Sequence, residues 1–378
     1  MRVLFCTTPG PGHVLPLVST AWALQAAGHD VLFATSATSG SVTGAGLSTV
    51  DVAPDLDMGQ IFYRHLPAVG EYVQRQQQQP VPDHGPLIPI FGEICDAMAD
   101  GTMALAQRWC PDLVIHTLEQ GVGPLVAAKL GVPAVIHGFG LATPIRTVHA
   151  IADQMAATYA RHGVTAAPEI GAVIDPAPPS LRIGFGADVP NWWGLGFVPY
   201  CGGIELPDWL AVAPERPRVA VTLGTTNPSF TGVTPLRRVI DAAADLDAEF
   251  VLALGDADPA PLGTLPDNVR ACGWIPLNVL LRTSVAQIHH GGGGSVLVAL
   301  RAGVPQLILP QGNDHFYNAT ALAEAGAGLT SADEDVDVAL LRTLISDDKL
   351  RRKNAEISEE MAALPSPAVI AERLAALR

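Results

Sequence analysis

The stretch richest in chemistry is Val285-Ala286-Gln287-Ile288-His289-His290-Gly291-Gly292-Gly293-Gly294-Ser295, which leads into the helical pattern Val296–Arg301. A buried strand that runs into consecutive glycines and then a helix can hold an anion. Glycine lets backbone amides approach a ligand closely, and the helix N-terminus adds partial positive charge. His290 and the Ser295 hydroxyl can donate to phosphate oxygens there; a tight turn with nothing bound is the plain alternative. The stretch is not a P-loop, since no Gly-Lys-Ser/Thr follows, and not GxGxxG, since position 296 is Val. Gly224-Thr225-Thr226, directly after the apolar run Val219–Leu223, offers a second and weaker phosphate contact. In the first half, Val3–Thr7 runs into a Pro/Gly turn, and His13 stands where the helical stretch Val14–Ala27 begins. An imidazole there can take a proton from a bound acceptor, because its pKa lies near working pH; a capping or buried histidine is the alternative. A base histidine needs a carboxylate to orient it. Glu119 follows the carboxyl end of the apolar run Leu113–Thr117 and is the expected partner. Asp112 precedes that run, at the wrong end of the sheet, and His137, ending Ala134–His137, is the reserve base.

These residues need elements to place them. Apolar runs alternate with helical patterns along the whole chain, which means parallel sheet in an α/β fold. The first series comprises Val3–Thr7, Val31–Thr35, Val50–Ala53, Leu113–Thr117 and Ala134–His137, with helices such as Ile90–Arg108 and Val122–Leu130 between them. The second comprises Val219–Leu223, Phe250–Leu254, Val269–Cys272, Val285–His289 and Gln306–Leu309. The prolines and glycines of Phe197–Pro217 read as a linker. The expected layout is a domain over 1–198, a linker over 199–217, a domain over 218–355 and closing helices over 356–378. Two doubly wound domains facing each other across a cleft follow. In open α/β sheets ligands lie outside the carboxyl ends of the strands, where both histidine sites fall. The polar, proline-rich Gln74–Pro89 reads as a surface loop.

Composition excludes several classes. Lysine occurs only at Lys129, Lys349 and Lys353 and the formal net charge is −15, which argues against nucleic acid as a partner. No apolar run reaches the ~18 residues that a membrane span needs, and no leader pattern opens the sequence, so a cytoplasmic protein without a membrane partner is expected. The five scattered cysteines contain no CxxC and read as small buried hydrophobes. The DxD pairs Asp55/Asp57, Asp256/Asp258 and Asp333/Asp335 lie in loop-like stretches, and no metal is expected.

The chain resembles bacterial natural-product glycosyltransferases of the GT-B fold, which are two Rossmann-like domains. His289–Ser295, Ala299–Pro305 and Pro310-Gln311-Gly312-Asn313-Asp314 look like that family's donor signature. Gly273–Leu277, Thr222–Thr225 and Pro9–Leu17 match further family pieces in the same order, so the similarity spans nearly the whole chain. The resemblance implies that Trp274 stacks on the donor's base and that the Ile275 backbone binds its edge; a core tryptophan is the alternative. It implies that His290, the Gly292, Gly293 and Gly294 amides, Ser295 and Thr225 hold the diphosphate, and it assigns His13 as base. Asp314 would bind sugar hydroxyls, with a helix N-cap as the other role. The family's usual glutamine is replaced by His315. The implied donor is a deoxysugar on thymidine diphosphate, with no cofactor, and a homodimer is compatible; some related transferases require an activator protein and carry additional amino-terminal helices, and none is expected for a chain that begins at its first strand. Phe62, Tyr63 and Phe91 either line a pocket for a flat aglycone such as an aromatic polyketide, or fill core. The implied reaction is a single inverting displacement giving an O- or C-glycoside. A nucleotide-sugar epimerase on the same fold and a non-catalytic nucleotide-sugar-binding protein are the alternatives.

Overall fold

The computed structural model describes residues 1–37, 39–80, 84–183, 189, 191–225, 228, 232–312 and 314–377. They fall into two compact units, one of 1–198 with 364–378 and one of 199–363.

The first unit is built on a seven-stranded parallel sheet. In chain order its strands are β1 (Arg2–Cys6), β2 (Asp30–Thr35), β3 (Thr49–Asp51), β4 (Leu113–His116), β5 (Ala134–His137), β6 (Ile170–Asp175) and β7 (Trp192–Gly194). In space they run β3-β2-β1-β4-β5-β6-β7. The central strands β4 and β5 are buried at every residue, as parallel strands with helices on both faces must be. The second unit repeats the plan with β8 (Arg218–Thr222), β9 (Glu249–Ala253), β10 (Val269–Cys272), β11 (Ser284–His289), β12 (Gln306–Ile308) and β13 (Gly328–Thr330), in the order β10-β9-β8-β11-β12-β13. Each sheet therefore reverses its winding once, between β1 and β4 in the first and between β8 and β11 in the second. Such switch points are where loops splay apart and open a crevice. The sequence reading omitted β6, β7 and β13; the last two are three-residue edge strands, too short to show periodicity.

Three expectations are corrected. Of the expected loop Gln74–Pro89, residues 74–78 are helical, inside Leu66–Gln78, because Gln is a good helix former and Pro80 lies beyond the helix end; Val81, Pro82 and Asp83 lie outside the described residues. Residues 199–217 belong to the second unit: Trp209 lies 5.0 Å from the Arg218 guanidinium and 4.9 Å from that of Arg270, and Arg218 donates to Glu249 at 2.8 Å. The closing helices part company. Asp348–Ala362 packs on Gly293–Ala302 in the second unit, whereas Pro367–Ala376 packs on Val18–Ala26 in the first, anchored by Gly196 N–H donating to the Pro365 carbonyl at 2.7 Å. No described helix is long and apolar enough to cross a membrane.

Candidate active site

In the first unit the site grows out of the switch point. Cys6 at the end of β1 pairs in register with His116 near the end of β4, so the loops that follow these strands emerge side by side. After β1 the chain turns at Gly10, whose φ of 134° and close approach to the imidazole of His13 both require glycine. The turn Pro11–Val14 follows, with Pro11 in the first turn where a missing N–H costs nothing, and the helix resumes at Val18. His13 projects from this first turn. Its Nδ1 lies 3.7 Å from Oε2 of Glu119, just beyond hydrogen-bond distance, and its ring meets Phe139 edge-on at 4.9 Å. Burial, and then the charge of nearby His84, lower the His13 pKa to about 4, so the imidazole is neutral at neutral pH. The loop after β4 is held from two sides. Thr8 Oγ1 donates to the Glu119 carbonyl at 3.1 Å, and Cys95 Sγ accepts from Gly121 N–H at 3.2 Å. A neutral imidazole backed by a carboxylate is equipped to remove a proton and tolerate the resulting charge. His137 is otherwise engaged: Nδ1 donates to the Gly138 carbonyl at 2.7 Å and Nε2 meets Thr20 Oγ1 at 2.9 Å. It ties helix Val18–Ala26 to the end of β5. Asp112 sits at the opposite strand end, accepting from Arg2 N–H at 2.8 Å.

The second unit's switch point carries the glycine turn. Thr222 of β8 pairs with His289 of β11, so Gly224 and the Gly291–Gly294 run lie together. The buried ring of His290 fills the space between them. A Cβ on Gly224 would fall 2.5 Å from its Cε1 and one on Gly292 would fall 2.4 Å from its Nε2. Those two glycines make room for an imidazole, while Gly294 faces open space. The His290 imidazole, itself buried, is turned toward the Thr222 backbone. Burial, the first cause, and then the neighbouring His315 and His289 hold His290 well below its ordinary pKa. The helix Gly293–Ala302 starts here without a side-chain cap from its own N-cap residue, Gly292. A hydrogen-bonded chain fixes the turn. His289 Nε2 bonds Gln306 Oε1 at 2.9 Å, and its Nδ1 accepts from Gly291 N–H at 3.0 Å. Asn318 donates to the Gly291 carbonyl and to Asp314 Oδ2, each at 2.9 Å, and Oδ2 also accepts from Gly293 N–H at 2.9 Å. Glycine backbone, a buried imidazole and a helix N-terminus are the ingredients of an anion site.

Residues 22–224 and 237–377 match the N-terminal and C-terminal domains of the erythromycin biosynthesis protein CIII-like family. Elloramycin glycosyltransferase ElmGT of Streptomyces olivaceus is 36% identical over 99% of this chain and 97% of its own length. The crystal structure of glycosyltransferase SnogD from Streptomyces nogalater superposes with a TM-score of 0.88 at 39% identity, over 100% of this chain and 99% of that one. SsfS6 of Streptomyces sp. SF2575, solved with thymidine diphosphate, gives 0.80 at 32%, again over 100% and 99%.

The chain belongs to this family of antibiotic glycosyltransferases.

The glycosyltransferase has the GT-B fold, and the structure places the remaining expected residues as follows. Trp274 follows β10 and is 41% exposed, with its Nε1 donating to the Cys201 carbonyl at 3.0 Å. It is not a core residue; its edge is pinned and its ring remains accessible. Ile275 beside it is buried. Ser295 lies in the first turn of Gly293–Ala302, and Thr225 is exposed after β8; Thr226 lies outside the described residues. Asp314 occupies the N-cap position of His315–Glu324 but caps the neighbouring helix instead of its own. His315 is buried, accepts from Gly312 N–H at 3.1 Å and packs edge-on against His290 at 4.7 Å. Its side chain braces the turn. Phe62 and Phe91 pack against the first unit's core, and Tyr63 is 75% exposed beside Arg64. The aromatic ring that meets His13 is Phe139. Among the DxD aspartates, Asp57 caps Met58–Arg64 and Asp258 accepts from Ala260 N–H. The sequence reading missed Phe139, His84, Gln306 and Asn318, and quoted His289 within the donor signature without a role of its own. Phe139 follows the end of β5 and obeyed the strand-end rule. Asn318 lies four residues after Asp314, the spacing that puts two side chains on one helix face.

Proposed function

We propose that this glycosyltransferase moves a deoxysugar from a thymidine-diphosphate donor to a flat, apolar natural-product acceptor, an aromatic polyketide being the first to test. The observation that carries the reading is the pairing of neutral His13 with Glu119 at the first sheet's switch point. His13 removes the acceptor's proton as oxygen or an activated ring carbon attacks the anomeric carbon. Glu119 steadies the imidazolium that forms. The departing diphosphate is met by the amides around Gly294 and Ser295 and by His290, with the donor's base against Trp274. One displacement inverts the anomeric centre, and no metal is needed for it. Asp314 accepts hydrogen bonds from the sugar's hydroxyls. The thymidine diphosphate bound by SsfS6 supports the donor class.

The test is incubation with thymidine- and uridine-diphosphate sugars, with and without polyphenolic acceptors and with and without EDTA, followed by mass spectrometry. An acceptor-dependent glycoside formed equally well in EDTA is expected. Conversion of the donor without acceptor would mean an epimerase, and intact donor under every condition would leave only binding.

A further inference from the structure

Asp314 sits in an unexpected place. An aspartate at the head of a helix ordinarily accepts from that helix's own first amides. Here no such bond forms. Oδ2 instead accepts from Gly293 N–H, the first amide of the neighbouring helix, and from Asn318, which also holds the Gly291 carbonyl. The fold thus seats a fixed negative charge at the helix N-terminus that draws the diphosphate. Beside it lie the buried imidazole of His290 and the open space at Gly294.

We propose that Asp314 discriminates between the sugar-bearing donor and the bare nucleoside diphosphate left after transfer, weakening the latter and hastening its release. This rests on the reading of the glycine turn as the diphosphate seat. A terminal phosphate carries about −1.5 to −2 near neutral pH, whereas a phosphate esterified to a sugar carries a single charge. Anion and carboxylate share one helix end, within about one turn of ~5 Å, well inside the ~8 Å screening length of physiological salt. Repulsion is therefore stronger for the product. With the sugar attached, its hydroxyls donate to the same carboxylate and offset the repulsion. Departure of the sugar removes that compensation and adds a charge in one event.

The test is calorimetric titration of thymidine diphosphate and of its terminal methyl ester, which lacks the extra charge, into wild type and Asp314→Asn. Asparagine keeps an oxygen for Gly293 N–H and Asn318, removes the charge and puts an amide NH2 in place of the oxygen that lies 3.8 Å from His315 Nε2, a change common to both ligands. Thymidine diphosphate should bind about tenfold tighter to the variant, and the ester no more than about threefold tighter. Stopped-flow displacement should show slower release of thymidine diphosphate from the variant. Equal changes for the two ligands, or weaker binding of both, would overturn the proposal. His290→Ala separates the layers. If it leaves thymidine diphosphate binding unchanged, the diphosphate seat itself is misplaced; if it weakens binding while Asp314→Asn shows no discrimination, only the present inference falls.

Discussion

Glu119→Gln isolates the electrostatic half of the proposed base. The substitution keeps shape and a hydrogen-bonding oxygen but removes the charge that faces His13. While the imidazole is neutral, little changes. During proton transfer a positive charge appears 3.7 Å from the carboxylate, an attraction of about 4–5 kcal/mol at an effective dielectric near 20. A neutral amide oxygen recovers about 1 kcal/mol of that as an ordinary hydrogen bond. The remaining 3–4 kcal/mol corresponds to about a 10²–10³-fold fall in kcat. Donor KM should hold steady, because Glu119 belongs to the unit that does not carry the glycine turn. Steady-state kinetics against saturating acceptor, with thermal unfolding to show an intact fold, measure the effect. The pH profile gives a second reading. His13 must be neutral to act, and the Glu119 charge opposes the lowering of its pKa by desolvation, so Glu119→Gln should move the acid limb of kcat/KM to lower pH. A variant within fivefold of wild-type kcat, or one whose acid limb does not move, would refute the Glu119 role.

Other outcomes follow from particular atoms. Gly294→Ala meets nothing within 4 Å and should leave thermal stability intact while weakening thymidine diphosphate binding by calorimetry, because the methyl enters the ligand's space. By contrast, Gly292→Ala drives a Cβ to 2.4 Å from His290, so both stability and binding should fall, the former by about 1–3 kcal/mol in denaturant titration. Trp274→Ala should raise the donor Kd about tenfold or more and Trp274→Phe far less, since base–aromatic stacking is worth about 1–3 kcal/mol; equal effects would argue against a stacking platform. Acid should destabilise the fold. Burial lowers His13, His116, His137 and His289 to about 4 and His315 to about 3, so the unfolded chain binds more protons between roughly pH 6.5 and 4. Stability is fully present above the ordinary histidine value and is lost as pH falls through this window. Scanning calorimetry should show Tm dropping steadily below pH 6.5, and a constant Tm down to pH 5 would contradict the assignment.

Local pattern determined a good deal by itself. The apolar runs with helices between them required parallel sheets. A strand ending in glycines before a helix required a turn with exposed amides, and the strand-end rule preferred Glu119 over Asp112 before any partner was visible. Those readings depend only on neighbours in the chain. Tertiary structure decided the rest, because the deciding contacts join residues brought together by strand order. His13 and Glu119 approach because β1 and β4 are adjacent across the switch point, although two other strands and several helices intervene in the chain. Asp314 was legible as a helix cap, but only the packing of two helices showed which helix it caps. The glycines at 224 and 292 look alike in sequence; the ring of His290 between them gives both the same reason to lack a side chain. Likewise the aromatic residues of the variable region could be counted as pocket or core alike, and only the contact of Phe139 with His13, made across the strand ends, showed an aromatic ring beside the proposed base.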